Sequence, residues 1–443
     1  MIQDWFFDLL IKETGKIIEE LRQWRYNNIV DHITDASWYN RFLPQPYRSK
    51  PRFAAVDGGS ISEPLLGGGA LLIARAIAIG PDGGISSRRL RVKASRFRSS
   101  AFLDFMRSIL EYEVAMDVLD RLKPGDYLLM DGSLLATLYR IFTRIARIAS
   151  GRSRLNIGEI EADMLGLKLL PLIAELLENA NSKSVRVLYV SKDFSFRILK
   201  EHILLRELDK LYECESNPSP LCIYVRENMN TYPAKRRELL LSVLHRLGVY
   251  RSIGEALLNT TYRDQAFVDD IASHTPGFTS PLVTGLLHTF VQRVFSSYGI
   301  RGIIDIIASR LEIYFGEKLD DNLLNEITKA IRSLPAVNIV YLKPRASDPP
   351  IMIEYPYWDE YFITRDTRYL REPGVLDEEA IGFVASEYKS MAYYNTWLIR
   401  AHSLVRIKRD HIRSYIRFLE NSLAQEGVEL PLSRRTIIKS VQP

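Results

Sequence analysis

Two acidic turns carry the strongest chemical signal in the chain, VDGGS at 56–60 and MDGS at 130–133. Each follows a short apolar run, FAAV before Asp57 and YLLM before Asp131. Runs of that length bounded by Gly read as buried strands. An Asp closing such a strand holds its carboxylate at the C-terminal end. The Gly after it permits a sharp turn and the close approach of a ligand. Two such ends brought side by side make a site for a divalent cation. A lone Asp-Gly is more often a turn former or a helix N-cap. Two of them closing neighbouring parallel strands favour the metal.

Other residues extend this set. The stretch 98–122 has helical periodicity. At about 100° per residue, Leu110, Val114, Ala115, Val118 and Leu122 form its buried stripe, and Glu111 falls within it. Glu113 falls with Asp117 and Asp120 on the polar face. An acid on an apolar stripe is costly unless paired or metal-bound. Glu111 is therefore the structural choice for a third ligand, against the bland reading of a helix-edge Glu reaching solvent. Glu113 is the alternative. Lys192, in VSKDFS, follows another apolar run. It is placed to neutralise a phosphate, or simply to pair with Asp193. His402 lies in YYNTWLIRAHSLVRIKRDH, where helical period puts Tyr394, Trp397, Leu398, Ala401 and His402 on one face. A core histidine is the default for that pattern, and a site histidine needs an acidic partner.

The elements that must position these groups are legible. Strands are expected at 53–57, 70–79 and 87–94, the last two joined by the hairpin signal PDGG at 81–84. The helix 98–122 follows, then strand 126–131, helix 134–148, helix 157–180 and strand 185–190. A right-handed crossover lays strand 126–131 parallel to 53–57, with Asp57 and Asp131 at adjacent C-terminal ends. That order, β-β-β-α-β-α-β, predicts an α/β fold of the ribonuclease H-like type, a mixed sheet flanked by helices. The expected organisation is a helical arm over 1–50, the ribonuclease H-like core over 51–195 and a mostly helical insertion over 196–335. Residues 336–443 complete it with a hairpin, 337–343 with 350–355, and a long helical stretch over 377–422.

Composition sets the outer limits. The chain has 443 residues, 47% of them hydrophobic, and net charge +5. Two or three lobes are expected at that length. No run reaches the length of a membrane span. The best, ALLIARAIAIG at 70–80, is short and broken by Arg75. The first residues carry acids early and lack a basic n-region and cleavage site, so no signal peptide is expected and the protein is expected in the cytoplasm. Cys214 and Cys222 have no nearby histidines and make no zinc site. Arg clusters at 86–98 and 140–154 suit phosphate oxygens, few acids interrupting either. Residues 1–24 place Ile2, Trp5, Phe6, Leu9, Leu10, Ile17, Ile18 and Leu21 on one side, a stripe expected to serve assembly.

Together these pieces resemble the NurA family, archaeal 5′-to-3′ DNA nucleases that work with the ATPase HerA. The matched pieces are VDGGS, the acidic helix, MDGSLL, VSKDFS, the hairpin ending IEYP, and YNTWLIRAH, in family order. The resemblance implies manganese- or magnesium-dependent cleavage of DNA, as a 5′–3′ exonuclease and a single-strand endonuclease, in double-strand break end resection. It implies a homodimer docked on a HerA-type hexameric ATPase. It also implies metal-binding roles for Asp57 and Asp131, a matching glutamate at Glu111 or Glu113, and site roles for Tyr394 and His402. The chain departs from the family at Asn395, where proline is usual. Two rivals stand beside this reading. A non-catalytic nucleic-acid scaffold would lack a carboxylate at 57 or 131, and both are present. An ASKHA-type phosphotransferase needs a second glycine-rich phosphate loop and a second related domain, and neither is found after 196.

Overall fold

The structure is a computed structural model. It describes residues 13–15, 18–19, 33, 37–44, 52–66, 68–96, 99–151, 157–204, 256, 261–272, 275–286, 289–316, 318–363 and 377–432. Cys214, Cys222 and the apolar stripe of residues 1–24, apart from Ile18, lie outside them.

The chain divides into two compact units, one of residues 1–39 with 195–275 and a larger one of residues 40–194 with 276–443. In the smaller unit the Asp264 carboxylate accepts from the Leu199 and Lys200 backbone N–H groups, and Lys200 donates to the Ala256 carbonyl. Trp38 stacks on Phe267 there.

The larger unit is built on a mixed sheet. Its first strands are β1 (Phe53–Pro64), β2 (Ala70–Ile79) and β3 (Ile85–Ser95), an antiparallel meander. Helix α1 (Ser100–Leu119) leads to β4 (Tyr127–Asp131), which pairs parallel with β1. Helices α2 (Leu134–Ala149) and α3 (Ile157–Ser182) lead to β5 (Arg186–Ser191), parallel to β4. After α4 (Asp264–Ala272) of the smaller unit come short strands β6 (Gly277–Thr279) and β7 (Leu282–Thr284). Helices α5 (Thr289–Phe315) and α6 (Asp321–Ser333) follow, then the hairpin β8 (Pro335–Lys343) and β9 (Ile351–Tyr361). The sheet runs β6-β8-β9-β5-β4-β1-β2-β3, with β7 also on β8. Strands β4, β5 and β8 are buried almost throughout, as strands covered on both faces must be, whereas β3 at the edge is largely exposed.

Three expectations need correction. Strand β1 does not end at Asp57 but runs on to Pro64. Only its parallel pairing with β4 stops there, the last pair being Val56 with Met130. Beyond it β2 continues as the antiparallel partner, so the backbone needs no turn. The stretch 377–422 holds not one or two long helices but three shorter ones, α7 (Glu378–Glu387), α8 (Thr396–Val405) and α9 (Arg409–Gln425). A cap stops each from merging with the next. The part of 196–335 that stands apart is narrower than expected, because β6 and β7 pair with β8 and α5 and α6 belong to the larger unit.

Aromatic packing seats the last helices on the sheet. Tyr127 stacks on Phe383 of α7 with centroids 5.0 Å apart, and Phe53 meets Trp397 of α8 edge-on at 4.2 Å. Ile77 and Ile79 of β2 pack against Ala401 and Val405.

Candidate metal centre

The register that pairs Val56 with Met130 sets Asp57 beside Asp131. Asp57 is 6% exposed, a carboxylate sealed in the sheet. Its Oδ1 accepts from the Gly58 N–H at 2.7 Å, and its Oδ2 lies 2.9 Å from His402 Nδ1. Asp131 Oδ1 accepts from the Tyr394 hydroxyl at 2.7 Å. Donor atoms of Asp57, Asp131 and His402 all lie within 4.8 Å of one another. No other such set of three occurs among the described residues.

Strand alternation explains where Glu111 stands. Asp57 and Gly59 face α8, and Gly58 faces α1 on the other side of β1. A Cβ on Gly58 would come within 2.2 Å of Glu111 Oε1 and 2.7 Å of Arg107 Cγ. A Cβ on Gly59 would come within 2.6 Å of the Val405 carbonyl oxygen. The two glycines therefore serve close approach on both faces rather than a turn. True turn geometry belongs to Gly132, with φ of 112°. Glu111 lies at the gap left by Gly58, repels both aspartates electrostatically, and stands outside the convergent set of three. Glu113 points elsewhere and pairs with Arg91 on β3.

Crowding these carboxylates has a cost in charge. Burial, then Asp131, then Glu111 push Asp57 up to about 8. Burial also raises Glu111, opposed by Arg107, and raises Asp131, opposed by the Tyr394 hydrogen bond and by Lys192. Tyr394 is itself held far up by burial and by Asp131. Lys192 Nζ sits 5.0 Å from the Tyr394 ring centroid. A bound divalent cation would relieve this repulsion, and two carboxylates with one imidazole form a donor set that suits it.

Several neighbours escaped the sequence reading. Arg107, one turn before Glu111, has its Nε 3.3 Å from Glu111 Oε1 and also interacts with Asp57 and Asp131. Its spacing of four from Glu111 was the available signal. Several described residues of the Arg clusters are paired with acids from other elements. Arg89 pairs with Asp117, Lys93 with Glu161, and Arg144 with Glu159 and Asp163. Counting acids within each cluster could not find partners that arrive through the fold.

Asn395 accounts for the departure from proline. It precedes α8 as N-cap, its Oδ1 accepting from the Trp397 and Leu398 N–H groups at 3.1 Å each. Tyr394 thus lies just outside the helix, not on its face. Asn395→Ala should cost about 1 kcal/mol of stability, because its Nδ2 is buried without a partner and offsets part of the gain. Urea denaturation measures this, and an unchanged midpoint would reject the cap.

Fold and cluster together define a mixed α/β protein with a carboxylate–histidine centre suited to a divalent cation. The pattern of the NurA domain matches residues 51–407, and the chain belongs to that family. The NurA nuclease from Sulfolobus solfataricus is similar in fold, with TM-score 0.52 and 14% identity over 96% of this chain and 98% of that one. A NurA structure bound to dAMP and manganese aligns with TM-score 0.37 and 14% identity over 94% of this chain and 98% of that one. No curated protein matches. Among the described residues, no helix is long and apolar enough to cross a membrane.

Proposed function

We propose that this protein is a metal-dependent DNA nuclease whose centre comprises Asp57, Asp131, His402 and Glu111. The observation that carries this reading is the convergence of three donor atoms within 4.8 Å of one another, at a buried and a partly buried carboxylate that repel each other. The strand order β3-β2-β1-β4-β5 supports a ribonuclease H-like core. Mn2+ suits the imidazole of the set better than Mg2+, which prefers oxygen. When bound, the cation activates water and stabilises charge on the leaving oxygen.

The chain's own residues prepare that chemistry. Tyr394 donates to Asp131 Oδ1, which fixes the carboxylate's rotamer and leaves Oδ2 for the centre. Gly58 N–H holds Asp57 Oδ1 and directs Oδ2 to His402. Arg107 steadies Glu111 from one turn away. Lys192 adds positive charge beside Asp131 for the phosphoryl oxygens. His402, half exposed, is open to exchange a proton with solvent. The same proposal includes 5′–3′ polarity, single-strand endonuclease activity, a homodimer and a HerA-type hexameric ATPase, in end resection.

The test is incubation with end-labelled single-stranded DNA, with Mn2+, with Mg2+ and with chelator. Shortening of the label with Mn2+, abolished by chelator, is expected. Intact DNA under all three conditions would reject the nuclease reading.

A further inference from the structure

Arg75 interrupts the most apolar strand of the sheet. It lies on β2 directly opposite Gly59, two residues before Ile77 and on the same face. Its guanidinium meets the C-terminal end of α8 and the start of α9. Nε donates to the Val405 carbonyl at 2.6 Å, and Nη2 donates to the Arg406 carbonyl at 2.6 Å. Nη2 also lies 3.1 Å from His411 Nδ1 and 3.5 Å from the Leu404 carbonyl. Nη1 donates to the Tyr415 hydroxyl at 3.2 Å.

These acceptors are the groups a helix end leaves unsatisfied. The cap's own hydrogen bond, from the Arg406 N–H to the His402 carbonyl at 2.9 Å, leaves the Leu404, Val405 and Arg406 carbonyls to Arg75. A fixed positive charge also opposes the negative end of the helix dipole. Gly59 admits the Val405 carbonyl to the strand surface. Ile77 and Ile79 hold Ala401 and Val405 from below. The last turn of α8 is thereby fixed in three ways, and His402 belongs to that turn. Its imidazole then meets Asp57, two residues from Gly59 on the same strand face.

We infer that Arg75 is a positioning residue that locks the C-terminal turn of α8 onto β1 and β2 and so holds His402 at the metal centre. The inference rests on the nuclease reading above. A lysine in its place keeps the charge but has no fork to span several carbonyls. Freed from the clamp, α8 can shift by a fraction of its diameter while the protein stays folded on its aromatic contacts.

The experiment compares wild type, Arg75→Lys, Arg75→Met, His402→Ala and the Arg75→Met/His402→Ala double variant. Each is assayed for cleavage at saturating Mn2+ and for Mn2+ binding by EPR titration, well below its melting temperature. Leu419→Ala, which loosens α9 at an apolar packing position one turn beyond Tyr415, controls for general destabilisation. Expected for Arg75→Met is a fall in kcat of roughly 10- to 100-fold with KM for DNA unchanged, and a weakening of Mn2+ binding by about 10-fold. Arg75→Lys should fall between it and wild type, and Leu419→Ala should keep the wild-type kcat. In the His402→Ala background, Arg75→Met should cost nothing further. An equal loss in both backgrounds would show that Arg75 does not act through His402. Wild-type kcat and Mn2+ affinity in Arg75→Met would overturn the inference outright. If the wild type binds Mn2+ but leaves DNA intact, the nuclease reading fails alone, and the titration across the same variants still decides the clamp. A wild type that neither binds nor cleaves removes both.

Discussion

Asp57→Asn is expected to abolish cleavage and yet raise the melting temperature of the metal-free protein at alkaline pH. The two effects have one cause. Asp57 is buried beside Asp131 and Glu111, which raises it from 3.8 to about 8. A carboxyl group raised on folding favours the folded state fully below its unfolded value. That stability is lost as pH climbs through the folded value. The metal-free wild type should therefore lose stability between about pH 4 and pH 8, and Mn2+ should restore it by binding only the folded form. Asparagine keeps the shape and removes the charge, so the pH dependence should flatten and the Mn2+ effect shrink. Asp131→Asn should also abolish cleavage, with a smaller gain in stability, because the Tyr394 hydroxyl already serves Asp131. Thermal melts from pH 5 to 9, with and without Mn2+, check the first part, and the end-label assay checks the second. Normal folding with near-wild-type cleavage in either variant would sink the assignment. A melting curve for Asp57→Asn that follows wild type across the range would refute the charge argument alone.

Glu111→Gln is expected to slow cleavage by about 100-fold or more, and Glu113→Gln by little. Glu111 lies at the gap left by Gly58, is mostly buried, and contributes to the repulsion on Asp57. Glu113 is engaged with Arg91 at the sheet edge. An exposed pair of that kind contributes about 1 kcal/mol or less, so its loss should show in neither rate nor melting temperature. Single-turnover rates at saturating Mn2+ separate the two. The reverse order of effects would mean that the catalytic face of α1 is the polar one. A complementary change, Gly58→Ala, drives a methyl group into the Glu111 carboxylate. It should mimic Glu111→Gln if that carboxylate matters.

Local pattern reached a long way into this protein. Short apolar runs ended by Asp-Gly marked β1 and β4, and the crossover rule placed the two strands parallel and adjacent. Helical period separated Glu111 from Glu113. The 3.6-residue repeat also put Trp397, Leu398, Ala401 and His402 together, and these residues do share α8. It failed at Tyr394, because a repeat cannot see a cap. Asn395 ends the helical geometry one residue later, and Tyr394 reaches Asp131 from the loop before α8.

What the sequence determined by itself is the inventory: which carboxylates close apolar strand-forming runs, which helix offers a third, and the family to which the chain belongs. Those features are local, since strand and helix period depend on residues within a few positions of one another. Tertiary structure alone decided what those residues meet. It gave Asp57 its histidine from 345 positions away and Arg75 its carbonyls from 330. It turned Gly58 and Gly59 from a supposed turn into two points of close approach, and it supplied the cationic strand with acids from α1 and α3. Contacts across such separations follow from how whole elements pack. No spacing along the chain encodes them.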